Sequence, residues 1–140
     1  VGDQRARRDD ECAWLVTEDV LPVDLVERHR ALARAALRPR PPAFVHGDLH
    51  VEHVFIEDDR VTGIIDWSEA GRGDPLLDLA TLTLGHRDRL DDLLAGYGRE
   101  VDRAAITGWW SWRCLVAIRW LVENGYGDPV ELPEVALLRS

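Results

Sequence analysis

The stretch HGDLHVEHVFIEDDRVTGIID, residues 46–66, sets His46, Asp48, His50 and His53 within eight residues and closes on a second carboxylate, Asp66. Its second half has the pattern of a hairpin. Val54-Phe55-Ile56 and Val61 to Ile65 are β-branched or aromatic runs flanking Glu57-Asp58-Asp59-Arg60, which reads as strand, turn, strand. Residue numbers of facing positions across a hairpin sum to a constant, and a turn centred on Asp59 and Arg60 sets it at 119, so His53 faces Asp66. Their Cβ atoms are then expected about 4.5 to 5.5 Å apart at the open end of the hairpin. Asp48 and His50 lie in the loop that enters the first strand and hang over the same end. The spacing alone predicts a cluster of Asp48, His50, His53 and Asp66.

Two acids and two imidazoles brought together can coordinate a divalent cation and leave one carboxylate to take a proton. The plainer reading is that His46 and His50 hydrogen-bond within the loop while Asp48 caps a turn. Glu52, Glu57, Asp58, Asp59 and Glu69 read as a solvated face. His29 and His86 sit in helical or helix-end contexts, as satisfied core or surface residues outside the site.

Upstream, Leu25, Val26, His29, Leu32, Ala33, Ala36 and Leu37 recur at helical spacing until Pro39, Pro41 and Pro42 stop the helix. Cys12 to Val20 reads as an earlier short helix, and Phe44-Val45 as a short strand leading to His46. Downstream, Asp74 stands at an N-cap position with Pro75 at the first helical residue, predicting a helix from Pro75 to Leu84. Leu90 to Tyr97 reads as another. Ile106 to Val122 is apolar on nearly every face, so its tryptophans, Trp109, Trp110, Trp112 and Trp120, read as core. The outline is a mostly helical body carrying a small hairpin.

With 140 residues, 46% of them apolar, one compact domain over 1–140 is expected. The formal charge of −9, from 26 acidic and 17 basic residues, disfavours a nucleic-acid partner, and it either draws in a cationic small molecule or simply keeps the protein in solution. All basic residues are Arg, so no lysine can neutralise a phosphate. Cys12 and Cys114 have no paired spacing and read as buried thiols of a reducing, cytoplasmic protein. The most apolar run is broken by Arg113 and Arg119, and no membrane span is expected. The first residue is Val and no Met occurs anywhere, so a longer parent chain is expected.

Taken as a set, His46-Gly47-Asp48-Leu49-His50, His53, Ile65-Asp66-Trp67, Gly73-Asp74-Pro75 and Asp78-Leu79-Ala80 resemble the catalytic signature of the aminoglycoside phosphotransferase family, relatives of protein and choline kinases. The ordered match covers His46 to Ala80. The resemblance implies an α+β fold: the mostly helical C-terminal lobe of a protein kinase-like fold, with the hairpin carrying the catalytic and metal residues. By kinase mechanics, Asp48 would orient the acceptor hydroxyl and accept its proton, and Asp66 would hold Mg²⁺ against the phosphates of ATP or GTP. His50 stands where protein kinases often keep a lysine beside the transferred phosphate. His46 would brace the loop, and Asp78 would anchor it from the helix side.

The pattern departs at His53, where most of the family has an Asn that binds a second Mg²⁺; imidazole is a poor substitute because Mg²⁺ prefers oxygen, so His53 would either hold the metal weakly or act through a bound water. A His here, with the phrase VTGIIDWSEA, is similar to macrolide phosphotransferases. The lysine and Gly-rich strand pair of the nucleotide-binding lobe do not occur in the chain, so an N-terminal lobe of the same protein is expected and the fragment alone is expected to be inactive. The implied acceptor is a small, cationic, hydroxylated molecule such as an aminoglycoside or macrolide, with Asp88, Asp91, Asp92, Glu123 and Asp128 as candidate rim acids. The rival reading is a noncatalytic binding domain or remnant.

Overall fold

The computed structural model describes residues 2–140, with side chains from residue 6 onward. In chain order the elements are α1 (Gly2–Thr17), α2 (Val23–Ala36), β1 (Ala43–Val45), β2 (Val54–Glu57), β3 (Arg60–Ile64), β4 (Gly71–Gly73), α3 (Leu76–Thr83), α4 (Leu90–Tyr97), α5 (Arg103–Glu123) and α6 (Pro133–Arg139). This is a mostly helical fold with two small antiparallel sheets. The chain divides into two compact units, Val1–Pro39 with Arg103–Ser140, and Arg40–Asp102.

The first unit holds α1, α2, α5 and α6. Leu15, Ile106, Leu115 and Ile118 are completely buried at its centre. Gly108 explains how α5 meets α2: a Cβ there would stand 2.7 Å from both the Ala36 nitrogen and the Leu32 oxygen, so the two helices approach backbone to backbone and only glycine fits. His29 is a satisfied core histidine. The Leu138 carbonyl can only accept, so Nε2 donates to it at 2.8 Å and Nδ1 is left to accept from the Ser111 hydroxyl at 2.8 Å. Cys12 and Cys114 are buried free thiols, and desolvation pushes the Cys12 thiol up to about 11.

Two expectations for this unit change. Trp109 and Trp112 are buried, but Trp120 is 54% exposed and stacks on Tyr126 with ring centroids 5.3 Å apart. The first helix is also longer than Cys12 to Val20 and begins well before it. Its early turns are charged, and buried Arg8 and Glu11 give no apolar period to read, although Arg119 pairs with Glu11 at 3.3 Å.

The second unit carries both sheets, α3 and α4. In the hairpin, Asp58 and Asp59 both have positive φ, 49° and 59°, the backbone of a two-residue type I′ turn whose twist suits the strands it joins. Glu57 therefore pairs with Arg60, and Ile56 with Val61. Thr62 is then an extra residue on β3, since the next pair is Phe55 with Gly63 and the last Val54 with Ile64. The turn lies earlier than read from the sequence, and the bulge restores only part of the offset. His53 consequently faces Ile65, whose N–H donates to the His53 carbonyl at 3.0 Å, and Asp66 lies one residue further on.

The other sheet pairs β1 with β4, Phe44 opposite Arg72 and Val45 opposite Gly71. The Gly-Arg-Gly of β4 has no strand propensity and gives no signal in the sequence. Its Gly73 lies close to β1: a Cβ there would stand 3.0 Å from the Val45 side chain, which would have to give way. At the start of α3, Asp74 does the capping work expected of it: its Oδ1 accepts from the Leu76 N–H at 3.0 Å, and its other oxygen pairs with Arg40 at 3.1 Å. No helix among the described residues is long and apolar enough to cross a membrane.

Candidate active site

The loop from His46 to His53 is fixed to α3 by one carboxylate. Asp78, in the first turn of that helix, accepts the His46 N–H at 2.7 Å and the Gly47 N–H at 2.9 Å. Gly47 turns the chain with φ of +87°, and a Cβ on it would lie 2.4 Å from the Glu69 carbonyl oxygen, so the loop rests directly on the segment after Asp66. Gly47 entered the sequence reading only as part of the signature His46-Gly47-Asp48, and Glu69, read as solvated, is exposed and meets the loop through its backbone.

His46 is buried, and its tautomer follows from its partners. The Ile65 carbonyl takes the Nε2 proton at 2.8 Å, which leaves Nδ1 to accept from the Asp48 N–H at 3.3 Å. The ring also lies against Trp67, centroids 4.7 Å apart, and Trp67 donates its Nε1–H to the Ile64 carbonyl at 2.8 Å. One imidazole thus connects the loop carrying Asp48 to the strand end carrying Asp66.

Asp48 and His50 form a close pair, with Oδ1 3.0 Å from Nε2 and each side chain about a third exposed (31% and 38%). The Asp48 carbonyl accepts twice, from the His50 N–H at 2.9 Å and from His53 Nδ1 at 2.9 Å. A carbonyl cannot donate, so His53 carries its proton on Nδ1 and presents its Nε2 lone pair to the other side, where Asp66 Oδ2 lies 3.7 Å away. Asp66 itself holds a left-handed backbone, φ +60°, and its Oδ1 accepts from the Ser68 hydroxyl at 3.0 Å. Aspartate adopts this region more readily than most non-glycine residues, as Asp58 and Asp59 do in the hairpin turn. Ser68 had no place in the sequence reading.

The four clustered residues therefore occupy one end of the hairpin, joined through the Asp48 carbonyl. Among the described residues, no group of three or more His, Cys, Asp or Glu side chains converges on one metal position. The Asp66 carboxylate and His53 Nε2 lie 3.7 Å apart. Of the two, only the carboxylate suits Mg²⁺, which prefers oxygen ligands and completes its shell with phosphate oxygens and water. An imidazole whose Nδ1–H is tied to a backbone carbonyl is also oriented as metal-bound histidines usually are.

The rim acids are more dispersed. Asp88, Asp91 and Asp92 belong to the unit of Arg40–Asp102, Glu123 and Asp128 to the helical unit. Arg89 pairs with Asp88 at 3.5 Å and with Asp92 at 3.4 Å, and Glu123 pairs with Arg119 at 3.0 Å. Asp128 caps the short 3-10 turn Pro129–Glu131 through the Val130 N–H at 2.9 Å.

Residues 2–113 match the profile of the phosphotransferase enzyme family. The chain belongs to that family. Its match to the viomycin phosphotransferase of Streptomyces vinaceus is 38% identical over 74 residues, 49% of this chain and 22% of that protein. Among solved structures it is similar to a macrolide 2'-phosphotransferase type I, with a TM-score of 0.70 and 26% identity over 95% of this chain and 47% of the other. It also shares its fold, TM-score 0.64 at 20% identity, with a thermostable mutant of an aminoglycoside phosphotransferase in ternary complex with ADP and hygromycin B, covering 94% of this chain and 51% of that one. The chain thus spans about half the length of these solved relatives.

Proposed function

We propose that the protein containing this chain is a small-molecule kinase that moves the γ-phosphate of ATP or GTP to a hydroxyl of a small acceptor, in the manner of the antibiotic-modifying members of its family. The observation that carries this reading is the joining of two pairs through one carbonyl: Asp48 with His50 at 3.0 Å, and His53 with Asp66 at 3.7 Å. In the proposed step the acceptor O–H proton passes to the Asp48 carboxylate as the oxygen bonds to the γ-phosphorus, and the bond from that phosphorus to the β,γ-bridging oxygen breaks, releasing the nucleoside diphosphate. His50 holds the Asp48 carboxylate in position beside the transferred group. Asp66, with His53, would hold Mg²⁺, which supplies positive charge against the phosphates when bound.

The remaining half of such an enzyme is an N-terminal lobe that covers the nucleotide. The exposed pair Ile56 and Val61, opposite each other on the hairpin, favours this, since exposed apolar groups of that kind suit a surface that another body contacts. The chain alone is then inactive and a cytoplasmic location suits its nucleotide co-substrate. The second reading, a noncatalytic binding domain, draws support from His53, a nitrogen donor where Mg²⁺ prefers oxygen, and from the lack of a converging group of metal donors among the described residues. Transfer of label from γ-labelled ATP or GTP to a hydroxylated acceptor by the full-length protein separates the two, because a binding domain yields no labelled product. Asp66→Asn should weaken nucleotide binding in Mg²⁺ and leave it little changed in EDTA, and calorimetry under both conditions checks this.

A further inference from the structure

The acceptor's chemical class can be read from a cavity of about 350 Å³ in the unit of Arg40–Asp102, an inference that rests on the phosphotransfer reading above. Val51, Leu82, Thr83 and Leu93 line it, together with the His86 imidazole and the charged pair Arg89 and Asp92. Thr83 adds little polarity, because its hydroxyl already donates to the Leu79 carbonyl at 2.7 Å. Val51 follows Asp48 by three residues, so their Cα atoms are at most about 11 Å apart and a ligand in the cavity can reach the proposed base.

The charged groups at the cavity are its exposed ones. Arg89 and Asp92 both line it, with side chains 71% and 75% exposed, and they pair with each other at 3.4 Å while Arg89 also reaches Asp88 at 3.5 Å. Asp88 is not part of the lining, so within it Arg89 and Asp92 cancel and leave no surplus negative charge to draw in a polycation. The apolar walls would strip water from an ammonium group without replacing it, so each further amine on a ligand counts against binding.

We propose that this cavity takes the apolar face of the acceptor, which is therefore an amphiphile carrying a hydroxyl, a broad hydrocarbon surface and at most one amine, rather than a polycationic aminosugar. Its size lies near the lower end of the usual range of about 300 to 1,000 Å³ for ligand pockets, so it seats part of such a molecule.

The test uses the full-length protein with erythromycin, a large lactone with one amine, and kanamycin, a polyamine without a hydrocarbon face. Binding is followed by ligand-detected NMR and phosphorylation by label transfer, for wild type, Leu93→Trp, which fills the cavity, and Val51→Asp, which charges its wall. Erythromycin should bind wild type and lose at least tenfold in affinity in both variants. Val51 is exposed, so Val51→Asp carries the comparison if Leu93→Trp fails to fold. Failure of erythromycin to bind, equal binding to all three proteins, or a preference for kanamycin would overturn the inference. Erythromycin bound through the cavity with no phosphate reaching it would uphold the ligand class and count against the kinase reading; kanamycin phosphorylated with erythromycin unbound would do the reverse.

Discussion

In the helical unit the large aliphatic side chains Leu15, Ile106, Leu115 and Ile118 are completely buried, whereas on the hairpin Phe55, Ile56 and Val61 are each more than half exposed. The two regions use apolar residues for different ends. In the first they close on one another, and a backbone-to-backbone helix contact at Gly108 leaves no room for adjustment. In the second they stand open, and what fixes the loop is polar: two N–H groups on Asp78, one imidazole between two segments, and a carbonyl shared by His50 and His53. Hydrophobic burial supports the fold in one region, and hydrogen bonds set the chemical geometry in the other.

Substitutions should separate these two kinds of support. The largest stability effect is expected from Ile118→Ala, because removing three carbons from a fully buried site costs about 2 to 5 kcal/mol; denaturant melts of the 140-residue chain would show it. Gly47→Ala comes next at about 1 to 3 kcal/mol, since alanine dislikes φ of +87° and its Cβ would meet the Glu69 carbonyl. It should also impair phosphotransfer in the full-length protein, which Ile118→Ala should do only near its melting temperature. The smallest effect is Phe55→Ala, within about 0.5 kcal/mol in the 140-residue chain because the side chain is already in water. A loss for Phe55→Ala as large as that for Ile118→Ala would erase the contrast between the regions.

The sequence conveyed the hairpin and its polar end well, because alternating β-branched runs and an acidic turn are local signals. It missed the offset of His53 from Asp66, since a bulge at Thr62 and a turn at Asp58-Asp59 depend on backbone choices that two adjacent aspartates do not announce. It missed β4 for a related reason: Gly71-Arg72-Gly73 has no strand-forming side chains of its own, and its pairing with β1 is set by the partner strand. Trp120 lies three turns along from buried Trp109 on the same face of α5. Helical period gives the face of a helix, but where its neighbours stop covering that face is a tertiary fact. The loop anchor Asp78 was legible only through family resemblance, as its spacing from His46 carries no local pattern.

The central claim is that Asp48 acts chemically while contributing little to the fold. The most direct test is Asp48→Asn in the full-length protein, with turnover, nucleotide affinity and melting temperature measured side by side. Turnover should fall about 10²- to 10⁴-fold, with nucleotide affinity nearly intact and the melting temperature little changed. Unchanged turnover would contradict the account, as would a loss of activity matched by a loss of folded protein.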